Sequence, residues 1–344
     1  MRRFTITSWT FCLALGVAIG LRGETLVAEE LIVSPNLANQ LRYLHVSIAS
    51  GRITAAGTFS GRNLESQSQT NGRREKLTVD LTGSLPSVHY ELTTPTLHVT
   101  LELEQGDTLR VVRAPQGDGT VPYLELNQPA EGKITVVVGR DAAKKTYAVD
   151  TWWHLLAAEP DFARTEIEPL LRLLRPGWPL ASAGHEIVES LYRKIDAERT
   201  YDRRAWSVLV ERLSGGKYVE RVEADRQLRE LGQVVIPYLR NLNEKQLDAE
   251  QTYRIRMIVR SYGATADEDT PDSAAQALAA DPEMWYALAV RAVGPQRIKV
   301  RTQLSLILGE PVTLDVDVDE AAYSVQLAKL RERIDRAVQA AAKP

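Results

Sequence analysis

The sequence predicts an α+β chain of two domains, an antiparallel β-sandwich or meander followed by an α-helical domain. Apolar residues recur with period two from about 40 to 149, the mark of half-buried strands, and with helical period after Asp150. A length of 344 residues suits two domains of ordinary size. The composition, 44% hydrophobic and 25% charged, is that of a globular protein and excludes disordered, collagenous and multi-span membrane chains. A net charge of −3 argues against nucleic acid as a partner, because such proteins normally carry a basic face.

Taken in chain order, the first element is a leader. Arg2 and Arg3 precede the apolar run Trp9–Leu21, and Ala18-Ile-Gly20 offers a small-x-small cleavage pattern. A basic start and an apolar run too short for a ~30 Å hydrocarbon core read as a secretory signal peptide over 1–23, with a linker over 24–39. The chain is therefore expected to be exported, periplasmic or extracellular, with no membrane span after cleavage. The single cysteine, Cys12, lies in that segment. Disulfides, Cys-ligated zinc, Fe–S clusters and cysteine nucleophiles then have no place in the mature chain. Without Arg2, Arg3 and Arg22 the net charge moves from −3 to −6.

The β domain is expected over 40–149. Leu97, Val99, Leu101 and Leu103 alternate with His98, Thr100, Glu102 and Glu104, and Leu44-x-Val46-x-Ile48, Leu77-x-Val79-x-Leu81 and Ile134–Val138 follow the same rule. Ser50-Gly-Arg52, Gln105-Gly-Asp107, Gln116-Gly-Asp-Gly119 and Glu131-Gly132 supply turns between seven or eight strands. Residues 61–76 are polar apart from Leu64 and read as a long exposed loop.

The helical domain is expected over 150–344, with eleven helices starting at 151 and ending at 341. Pro176-Gly177, Gly215-Gly216, Gly232, Gly263, Pro271, Gly294-Pro295 and Gly309 punctuate them. Five of the six tryptophans fall here. The last helix, 319–341, is amphipathic and places Leu327, Leu330, Ile334 and Val338 on one stripe, which suits packing on the bundle or docking a partner helix. Trp152-Trp153 opens the domain at the expected junction. Adjacent residues cannot face one side of a helix, so one indole must contact something beyond the helix core.

Val222–Leu239 reads as a helix, a glycine stop at Gly232 and a second apolar helix, and Gln303–Pro311 repeats its first part around Gly309. The glycines lie 77 residues apart, about twice the ~40-residue period of such arrays. Residues 217–309 thus resemble a short HEAT/armadillo array, the other reading being an irregular bundle. The resemblance implies stacked helix pairs with a surface for protein contacts, and no catalytic residue. With its leader and β half, the chain also looks like exported bacterial proteins without an assigned role.

No motif implies a cofactor. His45, His89 and His98 would need three strand pairings to meet at a metal. His185-Glu-Ile-Val-Glu189 has glutamate where a zinc-protease helix needs histidine. Asp315-Val-Asp317-Val-Asp319-Glu320 lacks the EF-hand glycine and distal glutamate, so Asp319 is read as a helix cap. Asp267-Glu-Asp269-Thr-Pro271-Asp272 is read as a polar loop entering a helix.

The leading expectation is therefore a non-enzymatic exported scaffold or protein-interaction module of the cell envelope. Trp152, Trp153, Leu327, Leu330, Ile334 and Val338 are its candidate interaction or junction residues. A carboxylate-dependent hydrolase of the glycan type is the alternative, and it needs a cleft at the junction holding two acids ~5–9.5 Å apart. Glycan or envelope binding by the β domain, through Tyr43, Tyr90, Tyr123 and Tyr147, is the third.

Overall fold

A computed structural model describes residues 31–341, except 59–60, 141–142, 196–202, 241, 243, 265–267 and 316. The expected signal peptide, with Cys12, lies outside the described residues. The chain is α+β, an antiparallel β region over 44–149 followed by a helical region from Trp152 onward. Ahead of both lies α1 (Pro35–Leu41), which runs from the stretch expected to be linker, 24–39, into the start of the expected β domain. Its proline sits at the first helical position and Leu37 and Leu41 are buried. Seven residues with two apolar positions are too few to display a period, which is why the sequence reads as linker there.

β1 (Leu44–Ala49) and β2 (Arg52–Gly57) form a separate hairpin. Its turn residues Ser50 and Gly51 have φ of 50° and 75°, the paired positive values of a tight turn matched to strand twist. The other eight strands make one sheet, each paired antiparallel with the next in the chain. They are β3 (Asn63–Thr70), β4 (Arg73–Asp80), β5 (Ser87–Thr93), β6 (Leu97–Glu104), β7 (Thr108–Pro115), β8 (Leu124–Gln128), β9 (Ile134–Val138) and β10 (Lys145–Val149). Of the two expected arrangements the meander forms. The long loop expected over 61–76 does not form, because β3 and β4 occupy it. Asn71-Gly72 joins them with φ of 48° and 80°, and Asn-Gly is the favoured pair for such a turn. Leu64 is the only apolar residue of β3, so no alternation was visible there.

One face of the sheet is buried: Leu97, Val99, Leu101 and Leu103 of β6 are all fully covered, while the residues between them reach solvent. A single sheet needs a second layer for that face. The hairpin, α1 and the helices provide it.

The helices are α2 (Trp152–Ala158), α3 (Pro160–Phe162), α4 (Glu168–Leu171), α5 (Leu180–Lys194), α6 (Arg203–Arg212), α7 (Tyr218–Glu230), α8 (Ile236–Arg240), α9 (Ala249–Ala264), α10 (Pro271–Leu278), α11 (Pro282–Arg291), α12 (Pro295–Leu308) and α13 (Glu320–Ala341). The helix expected over 163–174 is broken, with a π turn over Ala163–Ile167 between α3 and α4. There the Glu168 N–H reaches back five residues to Ala163. Pro169 follows and has no N–H for the next i→i−4 bond, which favours the wider turn. Among the described residues no helix is long and apolar enough to cross a membrane.

Two apolar cores result. The larger runs without a break from Leu31 through the sheet to Ile334 of α13, so it crosses residue 150, where strands give way to helices. The smaller is formed by α6–α9 with Ala280 from beyond α10, and includes Trp206, Val210, Leu228, Ile255 and Ile258.

Gly51 marks where hairpin and helices meet. A Cβ there would lie 2.4 Å from Cβ of Thr151, on a backbone already at positive φ. Gly51→Ala should therefore cost on the order of 2–4 kcal/mol, combining left-handed strain with overpacking. Urea unfolding that shifts by less than about 1 kcal/mol would show that the contact is slack.

Candidate functional site

The junction is built from the hairpin turn outward. Asp269, in the loop before α10, accepts from Ser50 N (2.9 Å), Gly51 N (2.6 Å) and the Trp153 indole Nε1 (2.7 Å). Its own N–H donates to Ile48 O at 2.7 Å, and Ser50 Oγ donates to Tyr262 O at 2.7 Å. Arg240 Nη1 donates to Ser50 O at 3.2 Å. Burial raises the Asp269 pKa despite the indole and backbone donors and nearby Arg240.

The neighbouring indole turns to the sheet. Trp152 Nε1 donates to Gln128 Oε1 (2.7 Å), which also accepts from Ile53 N at 2.9 Å. Gln128 Nε2 donates to Ile53 O and Asp107 O, so all four capacities of this buried amide are used. Trp152 is fully buried and Trp153 is 5% exposed. The two rings thus sit where the sequence required them to diverge, one against the sheet and one against the helical side. Both indoles are thus taken up by packing and hydrogen bonding at the junction.

Beside them lies a buried polar chain. His154 Nδ1 contacts Thr151 Oγ1 (2.8 Å) and Nε2 contacts Asp281 Oδ2 (2.9 Å). Hydroxyl, imidazole and carboxylate in that order can serve nucleophilic catalysis. Here the outer two are helix caps, Thr151 for α2 and Asp281 for α11, and all three are buried. Burial alone would lower the His154 pKa, and the Asp281 carboxylate overcomes it and raises the value. Burial alone would raise Asp281, and the His154 imidazolium holds it below the usual carboxylate range.

The remaining sequence candidates separate. Leu327, Leu330 and Ile334 of α13 are buried in the main core rather than offered to a partner helix. The side chain of Val338 lies outside the described residues. His89 and His98 face Glu102 and Glu91 across neighbouring strands, and His45 is exposed on the separate hairpin. Among the described residues no three His, Cys, Asp or Glu side chains group as a metal site. Asp319 caps α13 by accepting from Ala322 N at 2.8 Å. Of the four tyrosines, Tyr90 and Tyr147 lie in one cross-strand row, Tyr90 buried against Glu75 and Tyr147 stacked on Phe162, while Tyr43 sits by Arg42 and Tyr123 by Arg140.

The accessible feature is on α9. Leu247, Ala249, Thr252, Tyr253, Arg256, Met257 and Arg260 line an open groove of about 410 Å³. Tyr253 is 62% and Met257 42% exposed. Arg260 pairs with Glu131, in the turn between β8 and β9, at 3.1 Å. Neighbouring α7, held to α9 through Arg221 and Glu250 (3.6 Å), exposes Tyr218, Val219 and Val222 as well. The sequence held a signal for this. Ile255, Ile258 and Tyr262 already account for the core face of α9, and Tyr253 and Met257 form a second stripe one turn apart.

Compared with protein-family models, curated proteins and solved structures, the chain matches none of them.

Two outcomes follow from the junction. Asp269→Ala strands three donors, and urea unfolding should show a loss on the order of 3 kcal/mol, whereas a loss under about 1 kcal/mol would show that the carboxylate is not what holds the turn. The His154–Asp281 pair should give a pH-dependent contribution. Its carboxylate part is present above the unfolded aspartate value and lost as pH falls through the depressed folded one. Its imidazolium part is present below the unfolded histidine value and lost as pH rises through the raised folded one. The stability difference between wild type and His154→Gln should therefore peak at about pH 4–6.5 and shrink on the alkaline side. A difference that grows above that window would mean that His154 is buried neutral.

Proposed function

We propose that the protein is an exported, non-enzymatic scaffold of the cell envelope that holds a protein partner against the α7–α9 face. The observation that carries this reading is the α9 groove. Tyrosine, methionine and arginine are the side chains enriched where proteins bind proteins, and here they stand exposed together on a regular helix. A tyrosine and a methionine flanked by Arg256 and Arg260 suit a partner segment with an apolar anchor and acidic flanks.

The supports are of three kinds. The leader-like start of the sequence favours export. The resemblance of 217–309 to HEAT-type arrays, which covers α7 to α12, favours a contact surface on paired helices. The bonds from Ser50 to Tyr262 O, from Arg240 to Ser50 O and between Arg260 and Glu131 favour a face held in a fixed orientation against the β region.

The test compares wild type with a Tyr253→Ala/Met257→Ala variant as baits on the envelope fraction. The outcome expected is a partner retained by wild type and weakened at least ~10-fold by the variant, at unchanged thermal stability. Equal recovery of every captured protein by both baits would remove this face from the function.

A further inference from the structure

We infer that the free edge of β3 is a homodimer interface, where β3 of a second copy adds antiparallel and continues the sheet across a two-fold axis. β3 is the terminal strand of the eight-stranded sheet. Its register with β4 runs unbroken from Asn63↔Asp80 to Thr70↔Arg73. Thr70 and Arg73 flank a two-residue turn, so they are the pair that exchanges both backbone bonds. Bonding alternates from there. Leu64, Ser66 and Ser68 turn their backbone groups to β4, and Asn63, Glu65, Gln67 and Gln69 turn theirs outward. Among the described residues no backbone group is paired with that outward row.

Proteins normally blunt such an edge with lysine, proline, a bulge or a short strand, since an open row of N–H and C=O groups templates another strand. β3 has none of these, and α1, which packs against β3 and β4, covers only the side of the half-buried Leu64, Ser66 and Ser68. The strand is eight residues long, lacks proline and lysine, and pairs without a bulge. Its one charge, Glu65, is drawn to Lys76 of β4 at 2.8 Å. The neutral Ser and Gln side chains beside it repel nothing.

A second copy is the occupant because the edge is its own complement. Centre the two-fold axis on Ser66, and Glu65 faces Gln67 of the second copy while Asn63 faces Gln69. All four outward residues then find partners, and no like charges stand opposite. Leu64 faces Ser68, and Ser66 faces itself as a non-bonded pair with Cα atoms about 4.5 Å apart. The contact is isologous and closes on itself, so it yields a dimer and not a filament.

The register makes the inference testable. In a Cys12→Ser background of the full chain, Ser66→Cys should oxidise to a covalent dimer, because that spacing is within disulfide reach. Ser68→Cys, four residues out of register with its copy, should stay monomeric on the same non-reducing gel. Light scattering should give a dimer for wild type. Gln67→Glu, which sets two pairs of like charges face to face, should weaken the dimer several-fold in low salt, and Gln67→Lys should tighten it. A monomeric wild type at the highest soluble concentration overturns the inference. So does a dimer that ignores both charge changes, or one that cross-links equally through position 68, since it must use another face or register.

Discussion

The architecture hangs on one carboxylate gripping one turn. Asp269 holds the backbone of Ser50 and Gly51, and the same carboxylate takes the Trp153 indole. The hairpin is thereby pinned to the helical side at its turn. Sheet and helices are each amphipathic, and apolar burial alone would let them slide over one another, because it has no direction. Hydrogen bonds with fixed geometry remove that freedom. The main core can be continuous from Leu31 to Ile334 because the hairpin carries the sheet side and the helical side in one frame.

The same logic recurs wherever polar side chains lie inside. Gln128 ties β8 to Ile53 of β2 and to the Trp152 ring. Arg113, almost wholly buried in β7, reaches Glu166 in the π turn. Glu75, buried in β4, takes the Tyr90 hydroxyl, the Arg73 guanidinium and Ser34 N. Leaving any of these groups unpaired in the core would cost more than the bond itself contributes. Each therefore acts as a register mark that rejects a shifted packing. The His154–Asp281 chain belongs with them, since it ties the start of α2 to the start of α11.

Much of the fold was legible because burial writes a period into sequence. The one-sided strands β5 to β9 show it, and so do the helices from α5 to α13, whose stops coincide with Gly and Pro. The failures have physical causes. β3 is an edge strand with nothing to bury, so its only signature was the turn Asn71-Gly72. α1 is too short to complete a pattern. The divergence of Trp152 and Trp153 could be deduced from helix geometry, whereas their partners could not. Asp269 sat in a stretch that reads as a solvated acidic loop, and nothing local distinguishes a carboxylate turned inward from one turned out. The groove on α9 was present as a surplus of apolar residues on a helix whose core face was already complete.

The grip of Asp269 on Ser50 spans 219 residues of chain. The eight-strand meander needs no such reach, because every strand pairs with its immediate successor. The two halves of the assembly problem are thus separated in time for any chain delivered from its N-terminus. The hairpin is the first sheet element to arrive, and although Gln128 and Gly106 can bond it as the sheet forms, its turn waits for Asp269 until most of the helical region has emerged. Until then Leu44, Val46, Ile48 and Ile53 have no finished core to enter. The interval before closure, rather than the finished fold, is where this molecule is most exposed to wrong partners.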